Sequence, residues 1–231
     1  MSLVQVRKLI AELGRREAAL YIIARLLERA SRGRIRLIRY HFVAQPVPDS
    51  PRSASRPSTS SRIRSVDADD PIVPAFPRPP AVIAQRFADG ATCFVAETGE
   101  RFAGFIWLKR DAYEEDEVRC RYEWVPPERC AWDYDVYVEP EFRIGRTFSR
   151  LWETANAHLA ADGVRWSLSR ISAFNPGSLA AHRRLGIRPL CAATFLVAGP
   201  IQLSFLPQPP YLHLGTGPQS RPVLRLSAPD T

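Results

Sequence analysis

The chain has 231 residues, of which 45% are hydrophobic, and five are tryptophan; it can bury a core of domain size, which excludes a disordered or fibrous protein. Its formal net charge of +8 comes almost wholly from arginine, with Lys8 and Lys109 the only lysines. No nucleic-acid-binding motif accompanies that charge, so no nucleic-acid partner is expected, and no apolar run reaches the roughly 18–20 residues of a membrane span.

Residues 1–33 read as a basic helical extension. Leu3, Val6, Ile10 and Leu13 form one stripe, Gly14 interrupts it, and A-A-L-Y-I-I-A-R-L-L continues; Arg7, Lys8, Arg15, Arg16, Arg25 and Arg29 make the other face basic. Such a segment either packs on the domain or in a homodimer, or makes a peripheral membrane or partner contact through residues 3–31. R-I-R-L-I-R-Y-H-F-V (34–43) is a strand in which His41 is structural. Residues 46–70, rich in Pro, Ser and Arg, read as a flexible insertion. A helix at 79–88 has Pro in its first turn and Gly90 after its end. Residues 91–97 and 101–108 flank T-G-E as a hairpin. E-E-D-E (114–117) is the sharpest acidic cluster, either simply solvated or an attractor of a cationic acceptor. Residues 118–124 form a further strand.

The stretch from Trp132 to Ile187 is dense with signals. W-D-Y-D-V-Y-V (132–138) alternates as a strand, and P-E-F-R-I-G-R-T (140–147) is a turn. Phe148, Leu151, Trp152, Ala155 and Leu159 follow at helical spacing until Asp162-Gly163 stops the helix. A strand at 164–174 leads to Asn175-Pro176, a strong helix start, and Gly186 ends the short helix. Strands at 189–198 and 201–206 complete a domain over 34–206, and residues 207–231, rich in Pro and Gly, read as a tail.

The strand followed by P-E-F-R, and the N-x-x-S-x-x-x-H-x-x-x-G run from Asn175 to Gly186, resemble the two coenzyme-A motifs of the GNAT (Gcn5-related N-acetyltransferase) family. The resemblance covers roughly residues 80–200. It implies an α/β (α+β) fold with a mixed, mostly antiparallel central sheet, a splayed parallel pair and flanking helices. It also implies an acyltransferase using acetyl-coenzyme A as cosubstrate and an amine-bearing small molecule or protein as acceptor. Arg146 and Phe148 stand where the family has Gly and a small residue. A phosphate loop needs successive N–H groups at a helix N-terminus, which negative φ angles can supply without glycine. The alternatives are a longer acyl donor, or a GNAT-fold binding module that has lost catalysis.

The resemblance places the carbonyl's backbone donor near Val136, Tyr137 and Val138. The phosphate contacts fall on Arg143, Ile144, Gly145, Arg146, Thr147 and Phe148, with further cofactor contacts at Asn175 and Ser178. Strand periodicity puts Asp133, Asp135 and Tyr137 on one face, where either aspartate can act as base or serve as a structural partner. His182 occupies the position of the family's thiolate-protonating Tyr, as an acid or as a half-exposed helix residue. Cys93, Cys120, Cys130 and Cys191 show no metal-ligand spacing, so no metal is expected; buried thiols fit a cytoplasmic protein. No Ser or Cys stands beside a His as a nucleophile would, so transfer is expected to be direct.

Overall fold

A computed structural model describes residues 3–49 and 61–230. Among them are five α-helices: α1 (Leu3–Leu13), α2 (Arg15–Ala30), α3 (Pro80–Ala88), α4 (Thr147–Ala161) and α5 (Pro176–Arg184). The strands are β1 (Ile35–Pro46), β2 (Ser61–Val66), β3 (Thr92–Thr98), β4 (Arg101–Lys109), β5 (Tyr113–Glu114), β6 (Arg121–Val125), β7 (Cys130–Val138), β8 (Trp166–Ser172), β9 (Arg188–Ala198), β10 (Ile201–Phe205), β11 (Leu212–Gly215) and β12 (Val223–Ser227). The class is mixed α/β with mostly antiparallel pairing, as expected.

Local chemistry explains the helix ends. Gly14, at φ 83°, breaks α1 from α2 where no side chain is welcome. The Asn175 side chain accepts from the Ser178 N–H at 3.0 Å and Pro176 opens α5. After α4, Gly163 takes φ 75° and the Val164 N–H returns to the Leu159 carbonyl at 2.9 Å.

The chain divides into two compact units. The first comprises residues 1–45, 112–125 and 168–231, the second residues 46–111 and 126–167. In the first, strands run in the order β11-β10-β9-β1-β8, and a small sheet runs β12-β6-β5. In the second the order is β7-β4-β3-β2. The core of the second unit joins Val66, Phe76, Ile83, Cys93, Val95 and Trp107, with Phe87 and Tyr134 packed against it. Its other face carries α4, whose Leu151, Trp152, Ala155 and Leu159 are buried.

Two expectations about irregular segments change. Of the expected linker 46–70, residues 50–60 lie outside the described residues, but Ser61–Val66 is a strand, β2, paired antiparallel with β3. Its alternation buries Val66, and Arg64 is neutralised by Glu97 at 2.6 Å and by Asp70. The expected tail holds β11 and β12. Leu224 and Leu226 of β12 are buried beside Tyr122 and Trp124 of β6, its parallel partner, so two apolar residues suffice to anchor a Pro-rich segment.

Candidate active site

Strand β7 sets the geometry. Phe105 pairs with Tyr137 and Trp107 with Tyr134, so two steps along β4 match three along β7. The extra residue is accommodated at Asp135, which adopts φ 49°. This is a β-bulge, which re-aims side chains and disturbs the ladder locally. Next to it, Gly104 faces Val138; a Cβ on Gly104 would lie 2.4 Å from the Tyr137 carbonyl oxygen. Only glycine admits β4 this close to the end of β7.

The bulge overturns the expectation that Asp133, Asp135 and Tyr137 share one face. Asp133 pairs with Leu108, Leu108 shares a face with Ile106, and Ile106 pairs with Phe94, whose ring meets His158 of α4. Asp133 therefore lies on the α4 face, 2% exposed, with Oδ1 accepting from the Ser167 hydroxyl at 2.5 Å. Asp135 points to the opposite side. There Arg78 donates to both of its oxygens and Arg86 donates to Oδ2 at 2.6 Å. The two guanidinium groups lie over the rings of Phe105, Tyr137, Trp107 and Tyr134 at 5.1–5.7 Å from the centroids. Asp135 is thus the anchor of an arginine pair at the bulge.

Past Val138 the chain turns through Pro140–Phe142 into α4. The Arg143 side chain folds back and its Nε donates to the Val138 carbonyl at 2.9 Å. Arg143 (φ −69°) and Arg146 (φ −92°) are ordinary right-handed backbone, and a Cβ at Gly145 would meet nothing nearer than the Phe142 oxygen at 3.5 Å. The turn needs no glycine, so Arg146 and Phe148 at the family's small-residue positions do not distort it. No side chain caps α4, which leaves the first N–H groups, those of Thr147 and Phe148 among them, for an external acceptor. Arg146 is largely exposed at that end, 3.8 Å from Glu153, and Ile144 is fully exposed.

Beside the same turn lies a cavity of about 740 Å³. Glu139 and Glu141 line it with Glu97, Glu100, Arg64 and Phe102. Glu97 is held by Arg64, and Glu141 by Arg101 at 2.5 Å. Glu139 instead accepts from the Tyr137 hydroxyl at 3.2 Å. Burial, and then the bond to Glu139, raise the Tyr137 hydroxyl above its usual pKa, so it stays a donor at neutral pH. Glu139 escaped the sequence reading because strand periodicity stops at Val138, and the Pro after it looked only like a turn.

In the first unit, Asn175 caps α5 and Ser178 is its capped residue. Nδ1 of His182 lies 2.8 Å from the Ser178 carbonyl oxygen, which can only accept, so Nδ1 carries a proton and Nε2 of the neutral ring holds a lone pair. Three of the four carboxylates in the cluster 114–117 are engaged. Glu115 is buried in a bidentate pair with Arg170 at 2.6 and 2.7 Å, Glu114 pairs with Arg121 at 2.7 Å and with Arg221, and Glu117 accepts from the Tyr40 hydroxyl. Burial pushes the Cys130 and Cys191 thiols up to about 11 and those of Cys93 and Cys120 higher still, so none is a thiolate near neutrality.

The model of the acetyltransferase (GNAT) family matches residues 61–187. A tandem GNAT protein from the clavulanic acid biosynthesis pathway is similar in fold, with a TM-score of 0.50 and 16% identity, covering 71% of this chain and 55% of its own. A GNAT-family protein from Novosphingobium aromaticivorans DSM 12444 gives a TM-score of 0.48 and 20% identity, covering 69% of this chain. The chain spans 63% of that protein's length. No curated protein matches this sequence.

Proposed function

The chain belongs to the GNAT acetyltransferase family, and from that premise we propose that it transfers an acyl group, acetyl in the first instance, from coenzyme A to an amine. The observation that carries this is the uncapped N-terminus of α4, reached from β7 through a turn bearing Arg143 and Arg146. The pyrophosphate would meet the first N–H groups of α4 and the Arg146 guanidinium, where helix dipole and charge act together. The Val136–Val138 backbone beyond the bulge would polarise the thioester carbonyl.

An alkylammonium must lose a proton before it attacks. Of the lining carboxylates, Glu97 and Glu141 are each paired with an arginine; Glu139 also lines the cavity, stands one residue past the end of β7 and accepts from the Tyr137 hydroxyl, so it takes the role first expected of Asp133 or Asp135. In this reading the amine gives its proton to Glu139. The nitrogen lone pair forms the N–C bond, the C–S pair leaves with sulfur as thiolate, and the acylated nitrogen sheds its surplus proton to water to give the neutral amide. By its place in the family motif His182 would be the acid for that thiolate, a role that requires the imidazolium donating from Nε2, because Nδ1–H is engaged by Ser178. The acidic lining favours a cationic acceptor. The raised thiols leave no cysteine fit for a covalent intermediate, which supports direct transfer.

Calorimetric titration with acetyl-coenzyme A and longer acyl homologues, followed by an amine screen that detects released thiol, tests the proposal. Micromolar binding with turnover of a primary amine supports it. Binding without turnover of any amine would favour a non-catalytic module.

A further inference from the structure

Helix α2 leaves an apolar stripe uncovered. Ala19, Ile23, Leu26 and Ala30 recur at i, i+4, i+7 and i+11, on one line of the helix, and all four are exposed, Ile23 by 45% and Leu26 by 60%. The opposite side is spent on the fold: Ala18 and Ala24 are buried, Glu17 pairs with Arg39 at 2.9 Å, and the Tyr21 ring meets Phe174. Arg15, Arg16 and Arg29 flank the stripe and are exposed. Helix α1 adds Val4, 76% exposed, with Arg7 and Lys8. Between residues 3 and 36 there are nine basic residues against three acidic.

The sheet beneath repeats the pattern. Arg39 pairs across the ladder with Thr194, Thr194 with Phe205, and Phe205 with Leu212, so these residues share the face that carries α2. On that face β10 and β11 expose Ile201, Phe205, Leu212 and Leu214 by 48–59%, while the polar Gln202 and Ser204 turn inward and are buried. An inverted strand of this kind marks a surface that meets something apolar.

We propose that this face of the first unit, led by α1 and α2, docks on an anionic lipid surface. Charge decides between occupants. In a two-fold contact between copies the same patch meets itself, which would set Arg15, Arg16 and Arg29 against their own counterparts. A bilayer bearing acidic headgroups offers both the apolar layer that Ile23 and Leu26 require and the anions that the arginines require. Insertion is shallow, since no helix among the described residues is long and apolar enough to cross a membrane.

The test is co-sedimentation of the full chain with phosphatidylcholine vesicles, with and without phosphatidylglycerol, at low and high salt. Binding is expected only to the anionic vesicles and is weakened by salt. Arg15→Gln, Arg16→Gln and Arg29→Gln each lower the affinity by about fivefold. Ile23→Glu with Leu26→Glu abolishes binding while the circular-dichroism melt is retained; the arginine variants carry the test should that pair fail to fold. Equal binding to both vesicle types, or none, overturns the proposal. So does a dimer by light scattering that dissociates in the Ile23→Glu, Leu26→Glu variant without any vesicle binding, which assigns the face to a second copy.

Discussion

The Tyr137 hydroxyl and the Glu139 carboxylate meet at 3.2 Å across a single intervening residue, at the point where β7 ends and the wall of the cavity begins. The pair sets the sharpest expectation for chemistry. A general base typically contributes about 10²–10⁴-fold, so Glu139→Gln lowers the rate of amine acylation by that order and leaves coenzyme A affinity within a few-fold. Tyr137→Phe, which removes only one bond to the base, has a smaller effect. Steady-state rates with calorimetry on the same samples check both. Normal turnover by Glu139→Gln returns the role of base to another group.

Arg143→Glu with Arg146→Glu reverses two charges at the open end of α4. Charge-assisted hydrogen bonds are each worth about 1.5–3 kcal/mol, so acetyl-coenzyme A binding falls by well over tenfold in a calorimetric titration. Arg143→Glu also loses the bond to the Val138 carbonyl, so Arg146→Glu alone separates the phosphate contact from the support of the turn.

Gly104→Ala places a methyl group where the Tyr137 carbonyl already sits. Neither backbone can yield without breaking the ladder, and overpacking of this kind costs about 1–3 kcal/mol. The urea midpoint drops accordingly, and coenzyme A binding weakens with it, because β4 and the end of β7 move apart.

At Asp135, asparagine isolates the charge, since Asn also tolerates the left-handed backbone. Asp135→Asn leaves Arg78 and Arg86 facing one another across aromatic rings without their counter-ion. Breaking a fully buried pair costs about 3–5 kcal/mol; with the Arg78 side chain 32% exposed and Asp135 half-buried the loss is smaller, read by denaturant unfolding. Arg86→Met in the same background recovers part of the loss, because it removes one of the two stranded cations.

His41 gives the fold a pH dependence. Burial, with Arg39 nearby, lowers its pKa below the usual imidazole value despite the opposing pull of Glu17. The neutral ring is therefore favoured in the folded state. Its contribution is fully present above about 6.5, the unfolded value, and is lost as pH falls below that toward the folded value, because the unfolded chain takes up the proton first. Urea midpoints measured from pH 7.5 downward fall through this window, and His41→Gln flattens that part of the profile.

The helices were legible because their ends carry local chemistry: Asn175 and Pro176 at one start, Gly163 at one stop. The hairpin and β7 were legible from alternation. What alternation could not show is the break in it. W-D-Y-D-V-Y-V reads as an unbroken strand, and the left-handed residue at Asp135 is imposed by Arg78 and Arg86, 57 and 49 residues away. The same holds for 114–117, where Glu115 is paired with Arg170 and Glu114 with Arg221 at separations of 55 and 107 residues. Strands β2 and β12 escaped notice because their few apolar residues lie among Arg, Ser and Pro, and only a partner strand reveals them as buried.

The ladder between β1 and β9 pairs Ile35 with Ala198, and this has a consequence for synthesis. A ribosome adding about 5–20 residues per second needs roughly 8–30 s to bring the second strand out after the first. For that interval β1, with Phe42 and Val43 destined for the core, has no partner on its β9 edge. The second unit, by contrast, has all its strands by residue 138 and its last helix by residue 161. The middle of the chain can therefore condense first, while its earliest strand waits for the end. A nascent chain stalled between those points would offer chaperones and proteases an apolar strand that the finished protein conceals.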